Sequence, residues 1–204
     1  IPFEHAALIE AAAVALHAVA LAPPEHDATA VVVGAGVIGA LVVQALRARG
    51  VRSIISVDQD DTRLDVARTC GAQHTVNFRD DDPVQAISDL TGGVGAACAY
   101  EAVGTSPALA TAIEAVERGG SVTLIGNVTP YVDLPLQVAV SRQLSLRGAC
   151  ASSGEYPQAM GLMASRAIDV DPLISVRAPL DDGATWFERL YQREPGLMKV
   201  LLQP

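Results

Sequence analysis

Residues 31–40 read VVVGAGVIGA, and this stretch decides the fold. The β-branched run TAVVV (29–33) stops at Gly34. An apolar-periodic segment, VIGALVVQALRARG (37–50), starts three residues later and closes on Gly50. Gly34, Gly36 and Gly39 therefore form G-x-G-x-x-G at a strand-to-helix turn. Gly34 permits the tight turn, Gly36 lets backbone approach a pyrophosphate, and Gly39 lets helix and strand pack closely. The helix start adds free N–H groups and the positive end of a dipole. A glycine triplet alone is weak evidence, but nineteen residues on (58 − 39) Asp58 ends the next apolar run. An acid there accepts hydrogen bonds from adenosine ribose hydroxyls. Its carboxylate would repel a 2′-phosphate, and no Lys or Arg follows before Arg63, so NAD is favoured over NADP. Arg63, one turn into the following helix, is placed to reach the adenosine. The plainer alternatives are a turn residue in DQDD (58–61) for Asp58 and a solvated helix face for Arg63.

Outward from this turn, strands and helices alternate. RSIISVD (52–58), HTVNF (74–78), AACAYEAVG (96–104), SVTLIGN (121–127) and SLRGAC (145–150) read as strands. Between them DTRLDVARTCG (61–71), DPVQAISDLTGG (82–93), 106–118 and 135–143 read as helices, with Asp82 and Pro83 as cap and first turn. Such alternation implies right-handed βαβ units in an α/β, doubly wound parallel sheet, and the near-continuous apolar strands agree. A methyltransferase also carries a Gly-rich loop and a second-strand acid, but six alternating strands at this spacing fit a dinucleotide better. Past Gly154 the rhythm changes: a helix over 155–166, the link DVDP (169–172), a strand over 173–178, a helix over 182–191 and a final MKVLL. The expected division is 1–27 as helix and linker from a neighbouring domain, 28–166 as the nucleotide domain, and 167–204 as a returning segment.

Composition narrows the function. Of 204 residues, 50% are apolar and 18% charged, enough for a large core. The net charge of −9 argues against a nucleic-acid partner. Three scattered cysteines without C-x-x-C spacing fit a reduced, cytoplasmic protein and exclude a zinc knuckle built within the chain. The opening helix, IPFEHAALIEAAAVALHAV, is broken by Glu4, His5, Glu10 and His17, and no membrane span is expected. The chain starts without Met, which suggests a piece of a longer protein.

The chain resembles the zinc-dependent medium-chain dehydrogenases, nearest the sorbitol and threonine dehydrogenase branch. ALIEAAAVALHAV is similar to that branch's A-x-I-E-P-L-x-V-x-x-H-A helix. VVVGAGVIG with SVDQDDTRLDVARTCGA is similar to its cofactor loop, ribose acid and next helix. YEAVG, GGSVTLIGN and PGLMKVLLQP are similar to its later strands. The resemblance implies a Rossmann cofactor domain, an NAD cofactor, a catalytic zinc and a small-molecule alcohol or ketone substrate. It places Val37 and Ile38 under the pyrophosphate and nicotinamide side, and Ile125, Gly126 and Asn127 at the nicotinamide ribose. Ala149, Cys150 and Ala151 would border nicotinamide and substrate. Glu10 would face the metal, whose Cys and His ligands belong to a domain outside these residues. It further implies a homodimer or homotetramer paired through SLRGAC. Read from residues alone, Glu10 and His17 form a polar stripe on one helix face; His17 is expected to be structural, Cys150 a packing residue and Glu101 a strand-end acid. Two departures stand out. Ala11 replaces the family's Pro, and Ala151 stands where polyol dehydrogenases carry Arg, which argues against a polyol substrate. The competing readings are a non-enzymatic NAD-binding module and a zinc-free reductase of the same superfamily.

Overall fold

In a computed structural model describing residues 1–204, six strands form one sheet. They are β1 (Thr29–Val33), β2 (Ser53–Asp58), β3 (His74–Asn77), β4 (Ala96–Glu101), β5 (Val116–Leu124) and β6 (Ser145–Gly148). The sheet is parallel throughout and ordered β3-β2-β1-β4-β5-β6. The chain winds outward from β1 to β3, returns to the centre, and winds the other way from β4 to β6. The winding reverses between β1 and β4, so a crevice opens there at the carboxyl ends of the strands.

Nine helices accompany the sheet: α1 (Phe3–Ala6), α2 (Ile9–Leu21), α3 (Val37–Ala48), α4 (Asp61–Cys70), α5 (Pro83–Leu90), α6 (Ser106–Ala115), α7 (Leu136–Ser141), α8 (Tyr156–Ala164) and α9 (Gly183–Tyr191). Alternate strand residues feed two cores, as the pleat requires. Val32, Ile54, Cys98 and Tyr100 face α2, α3 and α4, while Val31, Val33, Ile55, Val57, Ala99 and Val122 face α5 and α6. Local signals set the helix ends. The Asp60 carboxylate accepts from the N–H groups of Thr62 and Arg63, Asp82 caps α5 in the same way, and Gly71 ends α4 at φ 112°.

The last segment pairs β7 (Ile174–Pro179) with β8 (Lys199–Gln203) in a separate two-stranded parallel sheet. It is not detached: Leu173, Ile174 and Leu201 join the same core as β1, α2 and α3. Gln44 of α3 reinforces the join. Its amide donates to the Asp169 carbonyl (2.8 Å) and accepts from the Asp169 N–H (2.6 Å).

Three expectations need adjusting. The opening helix is broken at Ala7 and Leu8, so Glu10 lies in the first turn of α2 and is exposed, where an acid suits the helix dipole. Helix 106–118 ends at Ala115, because Val116 turns extended (φ −90°, ψ 149°), is fully buried and pairs with Ala96. The fourth strand stops at Glu101, and 102–104 form a loop at the crevice.

α2 packs its alanine face inward, burying Ala12, Ala13, Ala15, Leu16 and Val19. Its last carbonyls are met from the sheet. The Tyr100 hydroxyl donates to Ala22 C=O (2.7 Å), and Arg147 of β6 donates to Leu21 C=O. These groups satisfy acceptors that a helix end leaves open.

Candidate cofactor site at the carboxyl edge of the sheet

At the end of β1 the chain turns at Gly34 (φ +97°), whose N–H donates to Val57 C=O at 2.8 Å. A Cβ on Gly34 would meet the Val103 side chain at 2.6 Å, and one on Gly39 would sit 1.8 Å from the Gly34 carbonyl oxygen. Both glycines are required by the chain's own packing. Gly36 is different. Its φ of −70° suits any residue, and a Cβ there would meet nothing within 4 Å. Neither strain nor a close contact inside the chain calls for glycine at 36, and its side of the turn faces open space.

Gly36 is also the first residue of a helix start that no side chain caps, unlike those of α4 and α5. The first helical bond of α3 runs from Ala40 N–H to Gly36 C=O (2.9 Å), so the N–H groups of Val37, Ile38 and Gly39 precede the ladder. Val37 and Ile38 are half-buried against the core, with their backbone at the crevice. An uncapped helix start beside free space is suited to an anionic diphosphate.

Asp58 ends β2 beside this loop and is buried. One of its oxygens accepts from Ala35 N–H (2.7 Å); the other accepts from Gln59 N–H (2.7 Å) and Asp60 N–H (3.1 Å). A carboxylate has about four acceptor positions, so about one is left for a ribose hydroxyl. Sequence reasoning missed the first task, which is to hold the glycine loop in place. The turn in DQDD and the ribose contact are compatible uses of one side chain. Arg63 is half-buried in the first turn of α4.

The far side of the crevice is built from the ends of β4 and β5. Glu101 is 2% exposed, and its Oε1 accepts from the N–H groups of Val103 (2.7 Å) and Gly104 (2.8 Å). Burial pushes its pKa up, and those two hydrogen bonds pull against the shift. Its main-chain carbonyl accepts from Ile125 (2.8 Å) and Gly126 (2.9 Å). Glu101 is thus structural, as expected, and it joins the two loops. They press backbone to backbone: a Cβ on Gly126 would come within 2.1 Å of Gly104 N. Ile125 packs on the core and Asn127 is exposed at the loop tip.

After β6, Ala149 donates to Leu124 C=O (2.8 Å), which extends the sheet edge. Cys150 is exposed rather than packed, because β6 is the outer strand and nothing covers its end. Ala151 is exposed and left-handed at φ +53°. The candidate residues of the glycine loop, Asp58, Ile125–Asn127 and Ala149–Ala151 all lie at the carboxyl ends of strands on one edge of the sheet. Glu10 is not at a strand end; it lies in the first turn of α2. No group of three His, Cys, Asp or Glu side chains in the chain is arranged to hold a metal ion. His17, the other polar residue of α2, lies 2.8 Å from Glu155, a partner that no local signal discloses.

A family model described as zinc-binding dehydrogenase matches residues 37–165. Sorbitol dehydrogenase of Bacillus subtilis is 30% identical over 99% of the chain and 58% of that protein. D-xylulose reductase of Saccharomyces cerevisiae is 30% identical, covering 100% and 58%. The crystal structure of 2R,3R-butanediol dehydrogenase from Bacillus subtilis superposes with a TM-score of 0.91 at 29% identity, over 100% of the chain and 58% of that structure. The chain thus spans well under two thirds of the length of the relatives it matches.

Proposed function

The chain belongs to the zinc-binding dehydrogenase family, and on that premise we propose that it is the NAD-holding part of an oxidoreductase. The reaction moves hydride between NAD and a secondary alcohol or its ketone. Relatives that are sorbitol, xylulose and butanediol enzymes support this substrate class. The observation that carries the cofactor assignment is Gly36: a glycine that neither strain nor packing requires, facing open space at a helix start that no side chain caps.

Gly34, Gly36, Val37, Ile38 and Gly39 would hold the pyrophosphate, and Asp58 and Arg63 the adenosine ribose. Ile125, Gly126 and Asn127 would contact the nicotinamide ribose, with Ala149, Cys150 and Ala151 beside the ring. When bound, NAD supplies the hydride acceptor. The chain's residues orient it. α3 directs N–H groups at its diphosphate, and Glu101 fixes the paired loops on which its nicotinamide half would rest.

Zinc is a separate matter. The residues present do not by themselves make a metal centre. Glu10 is proposed as one carboxylate donor, or a hydrogen-bonded neighbour, to a metal whose remaining ligands come from outside this chain. Its exposure in the first turn of α2 leaves it free for that role. The bare, exposed edge of β6 supports pairing of two copies there, in a homodimer or a homotetramer. No helix is long and apolar enough to cross a membrane, and three free cysteines are in keeping with a cytoplasmic setting.

The deciding experiment is titration with NADH and NADPH, followed by nicotinamide fluorescence. Tighter binding of NADH is expected from Asp58; tighter binding of NADPH would overturn the assignment. For Glu10, the Glu10→Gln variant of the intact enzyme should lose bound zinc or turnover, and unchanged values of both would return it to the surface.

A further inference from the structure

His17 has no part in the scheme above, yet it is one of the better-placed polar residues in the chain. It lies near the end of α2, and its Nδ1 is 2.8 Å from Glu155 Oε1. A carboxylate only accepts, so Nδ1 carries the proton. Both side chains are largely shielded, at 17% and 14% exposure, which favours a strong hydrogen bond. The second oxygen of Glu155 accepts from Ser153 N–H at 2.5 Å. Glu155 stands at the N-cap of α8 without capping it; its side chain turns back to the preceding loop and across to α2. His17 holds the Glu155 carboxyl below the usual carboxylate range.

The loop so gripped needs holding. Between Ala149 and Glu155 it has no regular structure, and it places Ala151 (φ +53°) and Gly154 (φ +106°) in left-handed conformations. For alanine that conformation is unfavourable and persists only where the surroundings impose it. The same loop follows β6 at the carboxyl edge, where the nicotinamide end of the cofactor is placed. Glu10 and His17 are seven residues apart on α2, which at about 100° per residue puts them on nearly one face, roughly 10 Å apart. The helix face that reaches this loop is therefore the face that carries Glu10.

We propose that His17 and Glu155 are positioning residues: their hydrogen bond clamps the 149–154 loop to α2, and so sets the nicotinamide border relative to the helix bearing Glu10. The proposal rests on the dinucleotide reading, and its test separates the two. NADH and ADP-ribose, which lacks the nicotinamide, are titrated against the full-length protein and its His17→Ala, His17→Asn and Glu155→Ala variants. Melting curves accompany each titration.

His17→Ala and Glu155→Ala should weaken NADH by about tenfold, the order of one charge-assisted hydrogen bond, with ADP-ribose unchanged within about twofold. His17→Asn keeps an N–H donor near Nδ1 and should restore most of the NADH affinity. Equal losses for both ligands, or a drop in melting temperature with no change in their ratio, would reduce the pair to packing and overturn the clamp. Failure of the unsubstituted protein to bind either ligand would instead overturn the dinucleotide reading, and the clamp with it.

Discussion

Replacing Gly36 by alanine separates what the chain needs in order to fold from what it needs in order to bind. The backbone at 36 already has φ −70°, so alanine fits without strain. Removing glycine from the unfolded chain is worth about 0.4–1 kcal/mol of stability at such a site. Against this, glycine is a better helix N-cap than alanine, and its loss costs a comparable amount, about 0.5–1 kcal/mol. The two terms offset, and no atom lies within 4 Å of the new methyl. The melting temperature should therefore move by no more than about 3 °C. Binding has no such compensation. The methyl takes the space through which a diphosphate would approach the α3 N–H groups. Loss of even one charge-assisted bond costs about 1.5–3 kcal/mol, or roughly ten- to a hundredfold in NADH affinity. Gly39→Ala is the contrast, because its Cβ would lie 1.8 Å from the Gly34 oxygen and the fold itself should fail. NADH fluorescence titration and thermal melts of both variants decide the matter. A Gly36→Ala protein that binds NADH as tightly as the parent would refute the reasoning, and so would one that unfolds.

Asp58→Asn leaves an amide NH2 facing either Ala35 N–H or the Gln59 and Asp60 N–H groups. It should cost about 1–3 kcal/mol in urea unfolding as well as NADH affinity; a stability equal to that of the parent would discount the loop-holding role. Burial pushes the Cys70 thiol up to about 11 and Cys98 up to about 12, while Cys150 is exposed. A thiol reagent at pH 8 should label one cysteine of three in the native protein, and NADH should slow that labelling; two fast thiols would contradict the burial. The Glu155 carboxyl is held below its ordinary 4.5, so its pairing stabilises the fold above that pH and is lost as pH falls through the lowered value. The stability gap between the parent and Glu155→Gln should accordingly narrow as pH drops below 4.5, and a gap unchanged down to strong acid would count against the pair.

Much of the cofactor edge is legible in the sequence because its causes are local. The glycine spacing reports tight turns, and β-branched runs report strands covered on both faces. Asp60, Asp82 and Gly71 announce helix ends. What stays hidden depends on partners brought together by the fold. His17 meets Glu155 across 138 positions, and no periodicity contains that pairing. Asp58 is recognisable as a strand-end acid, but its grip on Ala35 N–H follows from β2 lying beside β1. The break at Ala7 and Leu8 is invisible in an alanine-rich stretch where neither Gly nor Pro marks it. Val116 looks like the last turn of a helix until its pairing with Ala96 claims it for the sheet.

The grip of Gln44 on residue 169 has a consequence for inheritance. Gln44 reads only the main-chain N–H and C=O of its partner, 125 positions away, and never the side chain. Substitution should therefore be tolerated unequally at the two ends of one contact. For this contact alone, position 169 could carry most amino acids, proline excepted since it has no N–H to give, although its carboxylate separately accepts from Asp171 N–H (3.1 Å). Position 44 has few substitutes, because donor and acceptor must come from one planar amide of the right reach. A saturation scan would find the tighter constraint at position 44, with only the local turn bond to Asp171 felt at 169, and a search for covarying pairs would pass over the contact.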